Sequence, residues 1–331
     1  MRGVKLQGEE SLATIMSRFS DDLALQHGHS VYTLPPFADT LNHEGKIPAY
    51  VPNYARMNGL YITPDLSHQI HPRSIIRGIN FATRPSRRHG NEMSRRKAFF
   101  GDLLIDTDNS RTVLPVAVKA FGSDAFNHAT QELSMFEYLR RQRIPTYGVV
   151  GMLAVANGEA PRSYSITHYQ PGFQTLEQLP WNRMSDSQKW HAIGGATKTL
   201  VDLHSHAVMH GDYEFKNVNL AENPGMAPPI PDLEYAVSLR NLLTPYDAKT
   251  DEAMRLARSL SADFGSLCKS VDDRVIGRRV PDKVRFEDHL EYVYGSYYGA
   301  LKQKDSPYKL VLEEAFTKVL DDKRRQAYGE W

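Results

Sequence analysis

"HGDYEFKNVNL", residues 210–220, sets an Asp five residues ahead of an Asn, with His-Gly before the Asp and an apolar run after the Asn. A helical segment leads straight into it. In "SDSQKWHAIGGATKTLVDLHSHAV" (185–208), Ile193, Ala196, Leu200, Leu203 and Ala207 recur along one stripe, and Ser185 is placed as N-cap. A polar turn after a long helix is common. A carboxylate and an amide at fixed separation are also what a hard divalent cation and a reacting hydroxyl require.

Upstream, the pattern is that of strands. "SIIRGINF" (74–81), "AFFGDLLID" (98–106) and "RTVLPVAVKAF" (111–121) are apolar and β-prone, and "TDNS" is a turn between the last two. "HATQELSMFEYLRRQRI" (128–144) has helical spacing, and "YGVVGMLAVANGEAPRSYSITHYQPG" (147–172) gives two strands joined at "NGEAP". Downstream, "DEAMRLARSLSADFGSLCKSV" (251–271) and "SPYKLVLEEAFTKVLDDKRRQ" (306–326) are helical. A β-rich half before an α-rich half predicts an α+β chain of two lobes with a cleft between them. At the start, Leu12, Ile15, Met16, Phe19 and Leu23 predict an amphipathic helix over 9–25, placed to pack on its own domain, or to dock a partner or a second copy. Residues 26–72 are irregular and interrupted by Pro and Gly. The expected division is an extension over 1–72, a β-rich lobe over 73–170 and a helical lobe over 171–331.

Bulk composition excludes more than it selects. The chain has 331 residues and a net charge of +1, so no partner follows from overall charge. Its one cysteine, Cys268, rules out an internal disulfide framework and speaks against a cysteine zinc site. The first residues lack the apolar run of a signal peptide, and the longest apolar run, "VVGMLAVA", is far short of a membrane span. The expectation is a cytoplasmic protein. No interleaved aromatic and basic platform for nucleic acid is present. His204, His206 and His210 cluster in sequence, but His206 faces away from the apolar stripe, which speaks against a shared metal.

Phosphoryl transfer needs a held cation at the α/β-phosphates, a carboxylate for the attacking hydroxyl, and oxygen ligands for Mg²⁺. Lys119 in "VAVKAF", Glu132 on the next helix, Asp212 and Asn217 in the loop, and Asp232 in "PIPDLEYAV" supply each part in that order. "VAVK", "HGDYEFKN" and "DLE" resemble the motifs of the protein-kinase-like superfamily, closest to its aminoglycoside phosphotransferase and choline kinase branch. The resemblance covers roughly residues 74–260. It implies a two-lobed protein-kinase-like fold, with a small antiparallel sheet and one helix in the first lobe and a mainly helical second lobe. It implies Asp212 as catalytic base, Asn217 and Asp232 as Mg²⁺ ligands, and Lys119 at the phosphates of ATP with a helix Glu as its partner. The apolar face of the helix centres near Glu132, while Glu137 is expected on the solvated side, facing Arg141. In "YSITHYQPG" the resemblance makes Thr167 the gatekeeper and gives adenine recognition to the carbonyl of His168 and the N–H of Gln170.

The chain also departs from that pattern. No GxGxxG lies between the first two strands. In its place "ATRPSRRHGNEMSRRK" (82–97) carries Arg84, Arg87, Arg88, Arg95, Arg96 and Lys97, which either lie over phosphates or form a solvated loop. Glu214 stands where protein kinases carry a Lys, and Lys216 is placed to replace part of that charge. No long activation segment follows Asp232, which favours a small-molecule acceptor. Asp251 and Asp263 are both placed to brace the loop from the helix below. Glu287, Asp288 and Glu291 offer an acidic surface for a cationic acceptor. The expected activity is ATP- and Mg²⁺-dependent phosphoryl transfer to a hydroxyl of a small molecule. The alternatives are an atypical protein serine/threonine kinase, AMP transfer, and a pseudokinase scaffold that binds partners through its N-terminal extension.

Overall fold

A computed structural model of the chain describes residues 31–33, 59–63, 66, 74–81, 98–106, 110–121, 126–157, 160–221, 228–239, 250–277 and 280–329. The helix expected over 9–25 and the cationic loop at 82–97 lie outside these residues. The chain is mixed α/β and divides into two compact units.

The first unit is built on β1 (Val31–Thr33), β2 (Gly59–Ile62), β3 (Ile75–Asn80), β4 (Ala98–Asp106), β5 (Arg111–Phe121), β6 (Val149–Asn157) and β7 (Ala160–His168). These form a seven-stranded sheet in the order β1-β2-β6-β7-β5-β4-β3. Every neighbouring pair is antiparallel except β1 and β2. The period of two is plain on β7. Tyr164 and Ile166 enter the core with Val116 and Val118 of β5, Leu153 of β6 and Leu103 of β4, while Ser163, Ser165 and Thr167 alternate with them. At the β3–β5 end, Asp106 accepts Arg111 Nε at 2.7 Å and Arg77 Nε at 2.7 Å. The bonds from Arg111 and then Arg77 hold its carboxyl at about 2.

Strands β1 and β2 come from the stretch that its Pro and Gly content made irregular. "GLYI" is too short and too apolar to show alternation, yet Leu60, Tyr61 and Ile62 are all buried. Its approach to β6 is close. A Cβ on Gly151 would lie 2.2 Å from Tyr61 O, so no larger residue fits there.

Helix α1 (Phe126–Arg141) joins the second unit from Gln131 onward. That unit also holds β8 (Phe173–Thr175), α2 (Asp186–Ser205), β9 (Val208–Met209), β10 (Asn219–Ala221), β11 (Val237–Ser238) and α3 (Thr250–Val271). It continues with α4 (Asp282–His289), α5 (Gly295–Lys302) and α6 (Lys309–Tyr328), with π turns at Asp272–Ile276 and Leu290–Tyr294. Ser185 caps α2 as expected. Its Oγ accepts Gln188 N–H at 3.3 Å, and Gln188 Oε1 accepts Ser185 N–H at 2.9 Å, a reciprocal box of order 1 kcal/mol. An aromatic cluster joins the last helices: Phe264 meets Tyr297 edge-on at 4.8 Å, and Tyr297 stacks on Phe316 at 5.1 Å. Two short antiparallel pairs, β8 with β10 and β9 with β11, hold the loops that follow α2. Among the described residues, no helix is long and apolar enough to cross a membrane.

Candidate active site

Helix α2 ends at Ser205, Ala207 adopts φ +61°, and β9 carries the chain into His210-Gly211-Asp212. The loop is fixed from below by Asp263 of α3, which is fully buried. Its Oδ2 accepts His210 N–H at 2.8 Å, and its Oδ1 accepts Gly211 N–H at 2.7 Å. His204 Nε2 lies 3.2 Å from Oδ2, and His204 Nδ1 lies 2.8 Å from the hydroxyl of Tyr297. Burial, then the charge of Asp263, pushes the Tyr297 hydroxyl far above its usual range, so it stays protonated and donates to Nδ1. The Nε2–H of His204 then points at the carboxylate. A buried carboxylate is tolerable only when so many donors meet it. Of the two bracing candidates, Asp263 makes these bonds.

Gly211 has φ +85°, and a Cβ there would lie 2.6 Å from Tyr235 O. Both facts require glycine at this position. The next ring, His210, turns away from Asp263. Its Nε2–H donates to Pro231 O at 3.1 Å, and its Nδ1 faces Asp212 N at 3.4 Å. One histidine therefore ties the Asp212 loop to the residue before Asp232. Asp232 itself has φ +55°, an uncommon conformation for a side-chain-bearing residue and a frequent mark of functional positions. The segment before it is held by Asn219, whose Nδ2 donates to Pro229 O and to Tyr147 Oη, each at 2.8 Å. The turn after it is held by Gln131 of α1, whose Nε2 donates to Ala236 O at 2.7 Å.

Asp212 and Asn217 are brought together. Asn217 Nδ2 donates to Asp212 O at 2.9 Å and to Asp212 Oδ2 at 3.1 Å, across a single 3₁₀ turn over Phe215–Asn217. The ammonium of Lys216 lies 3.1 Å from Asp212 Oδ2 and 3.2 Å from Glu214 Oε2. Glu214 also takes Lys269 of α3 at 2.8 Å. Burial pulls the Glu214 carboxyl up, but Lys269 and Lys216 more than offset it, so it ends below its usual range. Tyr213 is buried and donates to Ala196 O of α2 at 2.7 Å, which anchors the loop next to Asp212.

The three histidines that cluster in sequence have three different partners: His206 Nδ1 faces Asp202 O at 2.8 Å, and the other two bond as described above. Among the described residues, no group of three or more His, Cys, Asp or Glu is arranged to hold a metal. Asn217 and Asp232 ask for less. Asn217 Nδ2 is committed to Asp212, which leaves its amide oxygen as the atom able to hold a cation.

Glu132 is buried on α1, as its place on the apolar face predicts. Glu137 is buried too, which corrects the solvated position expected for it. It accepts Arg140 Nη2 at 2.8 Å, and α1 is covered over most of its circumference. Glu287, in the expected acidic surface, accepts the hydroxyl of Tyr328.

Lys119, Thr167 and His168 belong to the first unit. Lys119 pairs with Ser165 across β5 and β7, and Ala117 pairs with Thr167, so Lys119 shares a face with the small polar residues of β7 and opposes the apolar core. Its ammonium lies 5.0 Å from the centroid of Phe121. The end of β7 is tied down by His168 N–H to Gly148 O at 2.8 Å and Tyr169 N–H to Pro115 O at 3.0 Å. Burial lowers the pKa of His168 and favours the neutral ring. Gln170 begins the last segment of the second unit.

The residues that sequence reasoning missed are His204 and Tyr297. Nothing in their spacing distinguishes them from ordinary members of helical stripes.

No protein-family model matches the chain, and no curated protein matches it. Among solved structures, "WaaP in complex with acyl carrier protein" is 20% identical, with 70% of this chain and 84% of that chain covered and a TM-score of 0.39. Agreement of that size establishes neither a shared fold nor a family.

Proposed function

We propose that the chain is a protein-kinase-like phosphotransferase that moves the γ-phosphoryl group of ATP, with Mg²⁺, to a hydroxyl of a small molecule. One observation carries the reading: Asn217 Nδ2 bonds both the backbone and the carboxylate of Asp212. The pair of bonds fixes the orientation of the Asp212 carboxylate, and the buried Asp263 holds the backbone of the same loop.

In this reading Asp212 is the base. Its named partners engage Oδ2, and Oδ1 receives the acceptor proton. The hydroxyl oxygen forms its bond to the γ-phosphorus as the bond to the β,γ-bridging oxygen breaks and ADP leaves. Lys216 holds the Asp212 carboxylate in position and offsets charge on the transferring group. Asn217 Oδ1 and the Asp232 carboxylate would hold the cation, and when bound it supplies charge neutralisation at the phosphates. Lys119 is assigned to the α/β-phosphates. Thr167, the carbonyl of His168 and the N–H of Gln170 receive the adenine.

Incubation with γ-labelled ATP tests the reading. Label that moves only to added small hydroxyl compounds, and is lost in Asp212→Asn, supports it. Label on the chain itself points to a protein kinase. Absence of nucleotide binding leaves the scaffold.

A further inference from the structure

Glu214 stands where protein kinases carry a Lys, and its carboxylate bridges two lysines. Its Oε1 lies 2.8 Å from Lys269 Nζ of α3, and its Oε2 lies 3.2 Å from Lys216 Nζ. Lys216 Nζ in turn lies 3.1 Å from Asp212 Oδ2. Four charges of alternating sign therefore run from α3 to Asp212. The backbone under Glu214 is held by the same helix. Phe215 N–H donates to Ser270 Oγ at 3.1 Å, and that hydroxyl donates to Ser266 O at 3.1 Å. Adjacent residues of α3, Lys269 and Ser270, thus grip adjacent residues of the loop, Glu214 and Phe215. The Phe215 ring also stacks on Trp181, with centroids 4.9 Å apart and 17° between the planes.

Lys216 needs such a hold. An ammonium on a four-carbon stem is a mobile point charge, and the Lys216 side chain is 36% exposed. One half-exposed pair fixes a group of that kind weakly. Two carboxylates, on opposite oxygens of the same approach, confine it. Lys269 completes the arrangement by taking Oε1 of Glu214, which sets the rotation of the carboxylate and leaves Oε2 for Lys216. Burial works to lower the pKa of Lys216, but its pairs with Asp212 and then Glu214 more than offset that, so the ammonium stays charged.

We propose that Glu214, oriented by Lys269, is a positioning residue that holds the Lys216 ammonium against Asp212 while leaving it a donor for the transferring phosphoryl group. An ammonium has three N–H donors; two meet the carboxylates, and the third serves a phosphoryl oxygen. Glu214 and Lys269 touch no substrate and act through Lys216 alone. The proposal rests on the phosphoryl-transfer reading of Asp212.

Release of labelled phosphate from γ-labelled ATP, with water as the acceptor, reads turnover in the full-length chain. Lys216→Met is expected to lower kcat about a hundredfold and Glu214→Gln about tenfold, each with KM for ATP within about twofold of the wild type. The double variant should be no slower than Lys216→Met, because Glu214 acts only through the lysine it holds. Acetylation of Lys216 by acetic anhydride, followed by mass spectrometry, needs no turnover. It should quicken several-fold in Glu214→Gln, at an unchanged melting temperature, as the ammonium loses one of its two carboxylates. Wild-type kcat in Glu214→Gln would overturn the proposal. So would a double variant slower than Lys216→Met, or Lys216 acetylation at the wild-type rate in Glu214→Gln. If the wild type shows no turnover that Asp212→Asn removes, the phosphoryl-transfer reading falls, and the acetylation rates alone decide whether Glu214 holds Lys216.

Discussion

Asp263 and Asp212 are two carboxylates of one unit with opposite circumstances. Asp263 is wholly buried and meets two backbone N–H groups and a histidine. The Asp212 side chain is 26% exposed and meets a lysine and an asparagine side chain. The first set of partners is rigid and cannot be exchanged without cost. In the second set Asn217 is buried, and the Lys216 side chain is 36% exposed. A site that must hold one geometry while handing over a proton benefits from that division: fixed donors beneath and replaceable ones at the reacting edge.

The comparison can be broken by exchanging the consequences. Asp212→Asn should cost about a thousandfold in turnover, the scale of a lost general base, with an unchanged melting temperature. A large fall in stability would show that Asp212 is structural after all. Asp263→Ala should do the reverse first. It strands two buried N–H donors and His204, and should destabilise the unit by about 3 kcal/mol in a denaturant titration. A loss under 1 kcal/mol would remove the brace from the account. Gly211→Ala should follow at about 2 kcal/mol, from its φ of +85° and the 2.6 Å approach to Tyr235 O.

The smallest effect sharpens the outer side of the comparison. Glu214 has a folded pKa below its usual value, so the stability it adds is present above the unfolded pKa and fades as pH falls through the folded one. Because it is mostly screened by solvent, Glu214→Gln should flatten the acid limb of the stability curve by only a few tenths of a kcal/mol. A loss of several kcal/mol at neutral pH would mean that the outer pairs carry the fold.

What was legible in the sequence divides along the same line. Asp212 and Asn217 could be paired in advance because they stand five residues apart in one loop. Strands β4 and β5 could be found because their apolar runs end at turn residues. Asp263 could be narrowed to one of two candidate braces, but its partners His204 and Tyr297 could not be found, since His204 lies 59 residues from Asp263 and 93 residues from Tyr297 and each looks locally like part of a helix. Glu137 misled because one face of a helix was taken as solvated, whereas α1 is covered on nearly every side. Strand β2 hid because pairing to β6, and not alternation, places it in the sheet.

The proposal stands on Asp212, Asn217 and Asp232 receiving a nucleotide with its cation. Calorimetric titration of ATP into the wild type and Asp232→Asn, with and without Mg²⁺, tests it most directly. Binding that depends on Mg²⁺ in the wild type and weakens at least about tenfold in the variant is the predicted result. Equal ATP affinity in both proteins, with or without the cation, would contradict it.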